Sequence, residues 1–535
     1  MVLTAARLVC TNRDRVSELA HVWGAMDQFL DYSNGWTLER AAAKGFKFLV
    51  QRLALKVSAG SPNPNNKLLV MDFAAGNGHL DILKWLHNTE PLNGCSTRAM
   101  DDAAKNGHYE VVQWLHVNRS EGCTSKAMDY AACNGHLSMV QWLHEHRTEG
   151  MTTRAMDLAA QSGHLHVLQW LQDNRSAGCT PSAVNYAATE GHLHIVRWLC
   201  DIRKEMCSPS AMINAARRGH LSIIKYLSAR FHTLFASVGS KMVLVAIANG
   251  QAAVLVWLTS VLPVKSLKCE EDAESWMDVA STYGQVDILK WFHDHAAVLS
   301  TGVDKRTTCT AAAVTNAARS GHYDVLVYLH ANDLMNLTDE SDATDALVAA
   351  VEGGHHDCTE WLVAQFRTVY EKDPCTMTTV MDAGAASGHV GILQLLRDNP
   401  STSKWQTSSK AIDRAARYGF IDVLRWLHVN CSTQGEENSS PQKEPNQTDS
   451  HWTPIALELA VTNGHLQVVQ YLIEHHRFVC SGFEAFNAAC YMDHLEVAQY
   501  LYSNVRSLCS VKQALEQADE GGAEDTLTWL QGLLI

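Results

Sequence analysis

The chain has 535 residues, too many for one compact core, and 46% of them are hydrophobic, so it folds and is no disordered tether. Its formal charge of −14 argues against nucleic acid as a main partner, because phosphate binding draws on an excess of Lys and Arg. It has no apolar run long enough to span a membrane, and fifteen cysteines behind an N-terminus (Met1 to Arg13) without a signal-like core point to a reducing compartment, cytoplasm or nucleus.

Residues 1–35 fall outside the pattern that fills the rest of the chain, and Asp14 to Leu30 is predicted to be a capping helix over the first apolar face. Residues 36–535 read as an array of about sixteen repeats, best seen by setting CSTRAMDDAAKNGHYEVVQWLHVNRSEG (95–122) against CTSKAMDYAACNGHLSMVQWLHEHRTEG (123–150). The glycine before the recurring histidine serves as the zero of each repeat. It falls at Gly45, Gly78, Gly107, Gly135, Gly163, Gly191, Gly219, Gly250, Gly284, Gly321, Gly354, Gly388, Gly419 and Gly464. Asp493 takes its place in the fifteenth repeat and Gly522 in the last. From Gly107 to Gly219 the period is 28 residues, and later repeats are longer.

Each repeat predicts two helices. Ser96, Thr124, Thr152, Thr180, Ser208, Thr310, Ser408 and Thr453 stand at −11, where an N-cap belongs, and Pro181, Pro209 and Pro454 follow at −10, the first helical turn. Small and apolar residues at −8, −7, −4 and −3 (Ala127, Met128, Ala131, Ala132) give the first helix one buried face, and the zero glycine ends it. The second helix carries apolar residues at +2, +4, +5, +7 and +8, as in Leu137, Met139, Val140, Trp142 and Leu143. No repeat can bury both faces alone, so stacking must close the core. Phe231 to Ser240, Thr259 to Ala273 and Ala331 to Thr344 read as longer connections. Residues 430–450 read as a disordered loop, and the acidic last repeat reads as a cap.

The string A-A-x-N-G-H-x-x-V-V-Q-W-L, as at Ala103, Ala104, Gly107, His108, Val111 and Val112, resembles the helical half of ankyrin repeats, and the resemblance recurs from residue 36 to 535. It implies an all-α solenoid. The family's T-P-L-H is x-A-M-D here (Ala99, Met100, Asp101). The short period leaves about seven residues between helix pairs, so the projecting β-hairpin fingers of that family are expected to be reduced or absent.

The residues that look chemical recur in phase, which favours structural roles. Histidines at +1 and +9 and cysteines at −12 are repeated at helix-packing distances of about 8–10 Å, too far apart to converge on one metal or to form disulfides. Tryptophan at +7 reads as packing, arginine at +12 as a helix-end charge neutralised by Glu121, Glu149 and Glu205, and aspartate at −6 as an acceptor for the neighbouring repeat's loop. No catalytic residue, metal or cofactor is expected, and the chain reads as no enzyme. An enzyme with its site within residues 228–345 is the weakest reading.

What does not repeat is the face made by −9, −5 and −2. From it Arg98, Asp102, Lys126, Tyr130, Arg154, Tyr186 and Arg217 are the candidate partner-binding residues. The expected function is a protein–protein interaction scaffold that binds protein partners on the concave face of the solenoid as a monomer, without nucleic acid or membrane. The alternative is a substrate-recognition subunit of a ubiquitin ligase that docks through residues 1–35.

Overall fold

The computed structural model describes residues 36–534, apart from 60–66, 90–93, 175–177, 263–274, 300–308, 336, 338–339, 371–373, 400–406, 432–451, 477–481 and 505–509. The expected cap in 1–35 and nearly all of the insert 430–450 lie outside the described residues. Asn430 and Cys431 complete the helix Ile421–Cys431.

The described residues form sixteen successive helix pairs, from Leu38–Ala43 with Lys47–Ala59 to Val511–Gly521 with Glu524–Gly532, and no strand. The fold is an all-α repeat array, and the described residues contain no β-hairpin finger. Between Tyr109–Asn118 and Ser125–Cys133, for example, the chain crosses in a short loop with no strand. Chain contacts divide the molecule into two compact units, Met1–Met242 and Val243–Ile535.

In the first unit the helices Thr97–Lys105, Ser125–Cys133, Arg154–Gln161, Ser182–Glu190 and Pro209–Arg218 pack each on the next. Their alanines explain the close approach: Ala127, Met128, Ala131 and Ala132 are all buried, and so are their counterparts Ala155, Met156, Ala159 and Ala160. The second helices bury Val111, Val112 and Leu115, or Met139, Val140 and Leu143, against the first helices. Burying each such side chain contributes about 1.5–3 kcal/mol, so the array draws its stability from many equal layers.

The second helix of the Gly191 repeat departs from the rule. It passes into a π-helical turn at Trp198–Ile202, and Lys204 takes a positive φ of 61° just beyond it. The expected connection Phe231 to Ser240 is mostly helix instead. His232–Ala248 is one long first helix that buries Phe235, Val238 and Met242, and its sequence has no proline to stop it. The helix Glu340–Gly353 likewise begins inside the expected connection Ala331 to Thr344.

Candidate functional site

The site is found by separating the side chains that hold one repeat to the next from those left over. The first latch is the aspartate at −6. Asp101 is buried and accepts two bonds from the next repeat's cap residue, from the Thr124 backbone N–H at 2.7 Å and from its hydroxyl at 2.7 Å. Asp129 does the same for Thr152 at 2.8 and 2.6 Å, Asp157 for Thr180 at 2.8 and 2.7 Å, and Asp278 for Thr310 at 3.0 and 2.8 Å. Each cap hydroxyl also accepts from the backbone N–H two residues on, as Thr124 Oγ1 does from Lys126 at 3.2 Å. A single hydroxyl can donate across the joint and accept within its own helix at once, which suits Ser and Thr to −11. Burial nevertheless pushes the Asp72, Asp101, Asp129, Asp157 and Asp278 carboxyls above their ordinary range, with the hydrogen bonds pulling the other way.

The second latch joins histidine at +1 to the preceding repeat's turn. His192 Nε2 lies 3.1 Å from the Gln161 carbonyl oxygen, His220 Nε2 3.0 Å from that of Thr189, and His465 Nε2 2.9 Å from that of Arg417. The ring covers the zero glycine. At Gly191, where φ is +89°, a Cβ would sit 2.7 Å from His220 Cε1. Glycine is therefore required twice, for its left-handed backbone and for the room it leaves. The exception fits: Asp493 holds a φ of 58° at zero, and the repeat that follows has Ala523, not histidine, at +1. Burial lowers the His108 and His164 pKa values, and neighbouring histidines lower them further.

The remaining phased residues are also engaged. His87, His116 and His144 at +9 meet the edges of Trp114, Trp142 and Trp170 at 5.2–5.3 Å between ring centroids, so the tryptophan row is packing. Arg119 and Arg147 bond to Glu121 and Glu149, and Arg203 lies 3.4 Å from Glu205. Arg175 lies outside the described residues. Desolvation pushes the Cys95 and Cys179 thiols up to about 12 and Cys123 to about 11, which keeps them protonated and poor nucleophiles. Among the described residues no group of three or more His, Cys, Asp or Glu could hold a metal ion, and no helix is long and apolar enough to cross a membrane.

What is left is the outward face of the first helices. Arg98, Lys126, Arg154, Tyr186 and Arg217 are exposed there, and Asp102 and Tyr130 are half-buried. Arg98 pairs with Asp102 one turn on at 3.9 Å, and Arg217 reaches Asn214 Oδ1 at 3.3 Å. Lys126 and Arg154 have no carboxylate within ion-pair distance among the described residues. Three residues outside the candidate set share this face. Lys105 places its ammonium 5.4 Å from the centre of the Tyr130 ring, joining two repeats, and Arg218 pairs with Glu190 of the preceding repeat at 3.6 Å. Arg218 and Glu190 stand at −1, beside the terminating glycine, a position the helical period alone assigns to the helix end.

This distribution also corrects the expectation about nucleic acid. The net charge of −14 is not spread evenly, and these five first helices expose mostly basic side chains, so the total does not exclude a polyanion. Among solved structures, the chain is similar to the pentatricopeptide repeat protein PPR10 in complex with an 18-nt psaJ RNA element. The identity is 10% over 99% of this chain and 87% of that one, with a TM-score of 0.33. It is also similar to PPR10 from maize, at 11% identity over 99% and 97% of the two chains, with a TM-score of 0.21. The exclusion of nucleic acid, drawn from the net charge of the whole chain, is withdrawn. At these scores the likeness carries no argument about what this chain binds. No curated protein matches. The family model described as ankyrin repeats (3 copies) matches residues 38–126, 100–183, 156–234 and 412–512. Together these segments cover more than half of the sequence, and the chain belongs to the ankyrin repeat family.

Proposed function

We propose that the chain is a protein-interaction scaffold that takes its partner on the outward first-helix face of the Met1–Met242 unit. Arg98, Asp102, Lys126, Tyr130, Arg154, Tyr186 and Arg217 are the contact residues in this reading. The observation that carries it is the division of labour: the in-phase His, Asp, Trp and Arg residues are engaged in joining repeats, whereas Lys126, Arg154 and Tyr186 are exposed and make no such joint. Exposed aromatic and arginine side chains on a rigid scaffold are the usual anchors of an interface. Catalysis has no place in this reading, because the phased carboxylates are tied into joints and the phased thiols are protonated.

The test is affinity purification of the full chain beside the variant K126E/R154E/Y186A, with bound proteins identified by mass spectrometry. The reading expects an unchanged circular dichroism spectrum and loss of the partners. A variant that keeps every partner bound would overturn it.

A further inference from the structure

The first helices Thr97–Lys105, Ser125–Cys133, Arg154–Gln161, Ser182–Glu190 and Pro209–Arg218 carry a charge opposite to that of the chain as a whole. Arg98, Lys105, Lys126, Arg154, Arg217 and Arg218 are exposed on them. Against these stand only two carboxylates outside the joints, Asp102 and Glu190, and both are already matched, to Arg98 at 3.9 Å and to Arg218 at 3.6 Å. Asp101, Asp129 and Asp157 on the same helices are buried, and their oxygens are occupied by Thr124, Thr152 and Thr180. That leaves Lys105, Lys126, Arg154 and Arg217 as cations with no carboxylate within ion-pair distance among the described residues, although Lys126 and Arg154 still act electrostatically on the buried Asp101 and Asp129. The four are set along a face that also offers the Tyr130 and Tyr186 rings.

We infer that the partner segment held on this face is an extended acidic peptide; the inference rests on the protein-binding reading above. The spacing supports it. Five first helices at about 8–10 Å each span roughly 35–40 Å. An extended peptide covers that distance with about twelve residues at about 3.3 Å each. Such a peptide can place a carboxylate opposite each free cation and an uncharged residue opposite Asp102, Glu190 and the tyrosines. A nucleic-acid strand cannot choose in this way. Every nucleotide carries a phosphate and none can be left out, so some must face Asp102 and Glu190, whereas a peptide sequence can leave those positions uncharged. Charge complementarity of this kind sets partner choice and on-rate, and it weakens as salt screens it.

The experiment measures fluorescence anisotropy of the full chain with three labelled probes: a twelve-residue Glu-Ser repeat, the matching Gln-Ser repeat, and a twelve-nucleotide oligouridine. The expected result is saturable binding of the Glu-Ser probe that weakens with added salt, no binding of Gln-Ser, and a loss of roughly tenfold or more in K126E/R154E/R217E. The alanine triple K126A/R154A/R217A, which introduces no new charge, should lose affinity in the same direction. No binding of Glu-Ser, or binding that neither triple variant weakens, overturns the inference. Tighter binding of oligouridine, lost in the same variants, overturns it in favour of a nucleic-acid surface. Natural partners lost from K126E/R154E/Y186A while Glu-Ser fails to bind would remove the acidic-peptide inference and leave the scaffold reading standing. Partners retained in that variant would remove the scaffold reading itself.

Discussion

Replacing Gly191 with alanine tests the joint between repeats at a point where two costs separate. Gly191 has a φ of +89°, and a left-handed backbone costs an ordinary L-residue about 1–2 kcal/mol. The new Cβ would also sit 2.7 Å from His220 Cε1, well inside van der Waals contact. The ring must give way, and its Nε2 bond to the Thr189 carbonyl oxygen, 3.0 Å long, is stretched or lost. A hydrogen bond of this type contributes about 1 kcal/mol net. Gly191→Ala should therefore cost about 2–3 kcal/mol, and His220→Ala alone about 1 kcal/mol. In the His220→Ala background there is no ring to strike, so Gly191→Ala should cost only the backbone strain, leaving a coupling of about 1 kcal/mol between the two sites. Long arrays need not unfold in one step, so the assay is amide hydrogen exchange of the full chain, read on Ser182–Glu190 and Pro209–Arg218. Equal costs of Gly191→Ala with and without His220 would refute the reasoning, because the glycine would then be needed for its backbone alone.

Three further outcomes follow from the joints. Asp129→Ala removes both acceptors used by Thr152 and leaves a part-buried N–H unpaired, a loss of about 2–3 kcal/mol read by amide hydrogen exchange on Ser125–Cys133 and Arg154–Gln161. Asp129→Asn should cost about 1 kcal/mol or less, because Asn185 already accepts from the Ser208 hydroxyl at 2.9 Å in the same role; equal costs would count against the latch. Burial lowers His108 and His164 below their ordinary 6.5, so the stability they give is present above that value and is lost as pH falls through their lowered folded values. Glutamine fills this position at Gln285, whose amide donates to the Ala248 carbonyl at 3.2 Å, so H108Q/H164Q should keep the bonds and show a shallower fall in melting temperature below pH 6.5; parallel curves would contradict this. The buried aspartates, raised by desolvation, act with the opposite sign, and they are the same in both proteins, so the difference between the two curves reports the histidines. Finally, Asn487 stands at −6 with a buried Oδ1 that has no hydrogen-bond partner among the described residues, and the residue at −11 of the next repeat is Val511 instead of a hydroxyl. Val511→Thr should stabilise the last repeats by about 1 kcal/mol, seen as slower exchange in Gly482–Tyr491, and a destabilised variant would show that the hydroxyl cannot reach.

Much of the fold was legible because each layer repeats the same solution. Phase alone marked Ala131 and Ala132 as buried, Thr124 as a cap and Asp101 as an acceptor for the next loop, and the structure shows all three. The lack of strands in the described loops between the 28-residue repeats followed from the short period. Less legible was anything set by a single repeat. The first half of the long helix His232–Ala248 was read as a connection, Phe231 to Ser240, because it breaks the 28-residue phase, although it lacks helix breakers. The π turn at Trp198–Ile202 carries no length change, since Gly191 and Gly219 keep the common spacing, so counting residues could not find it. The basic face was partly legible: Arg98, Lys126 and Arg154 share position −9, but the pairing of Arg218 with Glu190 needs the stacking of two helices. Net charge misled, because a sum over 535 residues hides a face of the other sign.

The central claim is that residues in phase hold the array together and residues out of phase on the first helices meet the partner. Amine cross-linking of the native complex, read by mass spectrometry, tests it directly. Lys105 and Lys126 lie on first helices, whereas Lys84 and Lys225 are exposed on the second helices Leu80–His87 and Leu221–Arg230. The account predicts partner cross-links at Lys105 and Lys126 and none concentrated at Lys84 or Lys225. Cross-links gathered at Lys84 and Lys225, with Lys105 and Lys126 left free, would contradict it.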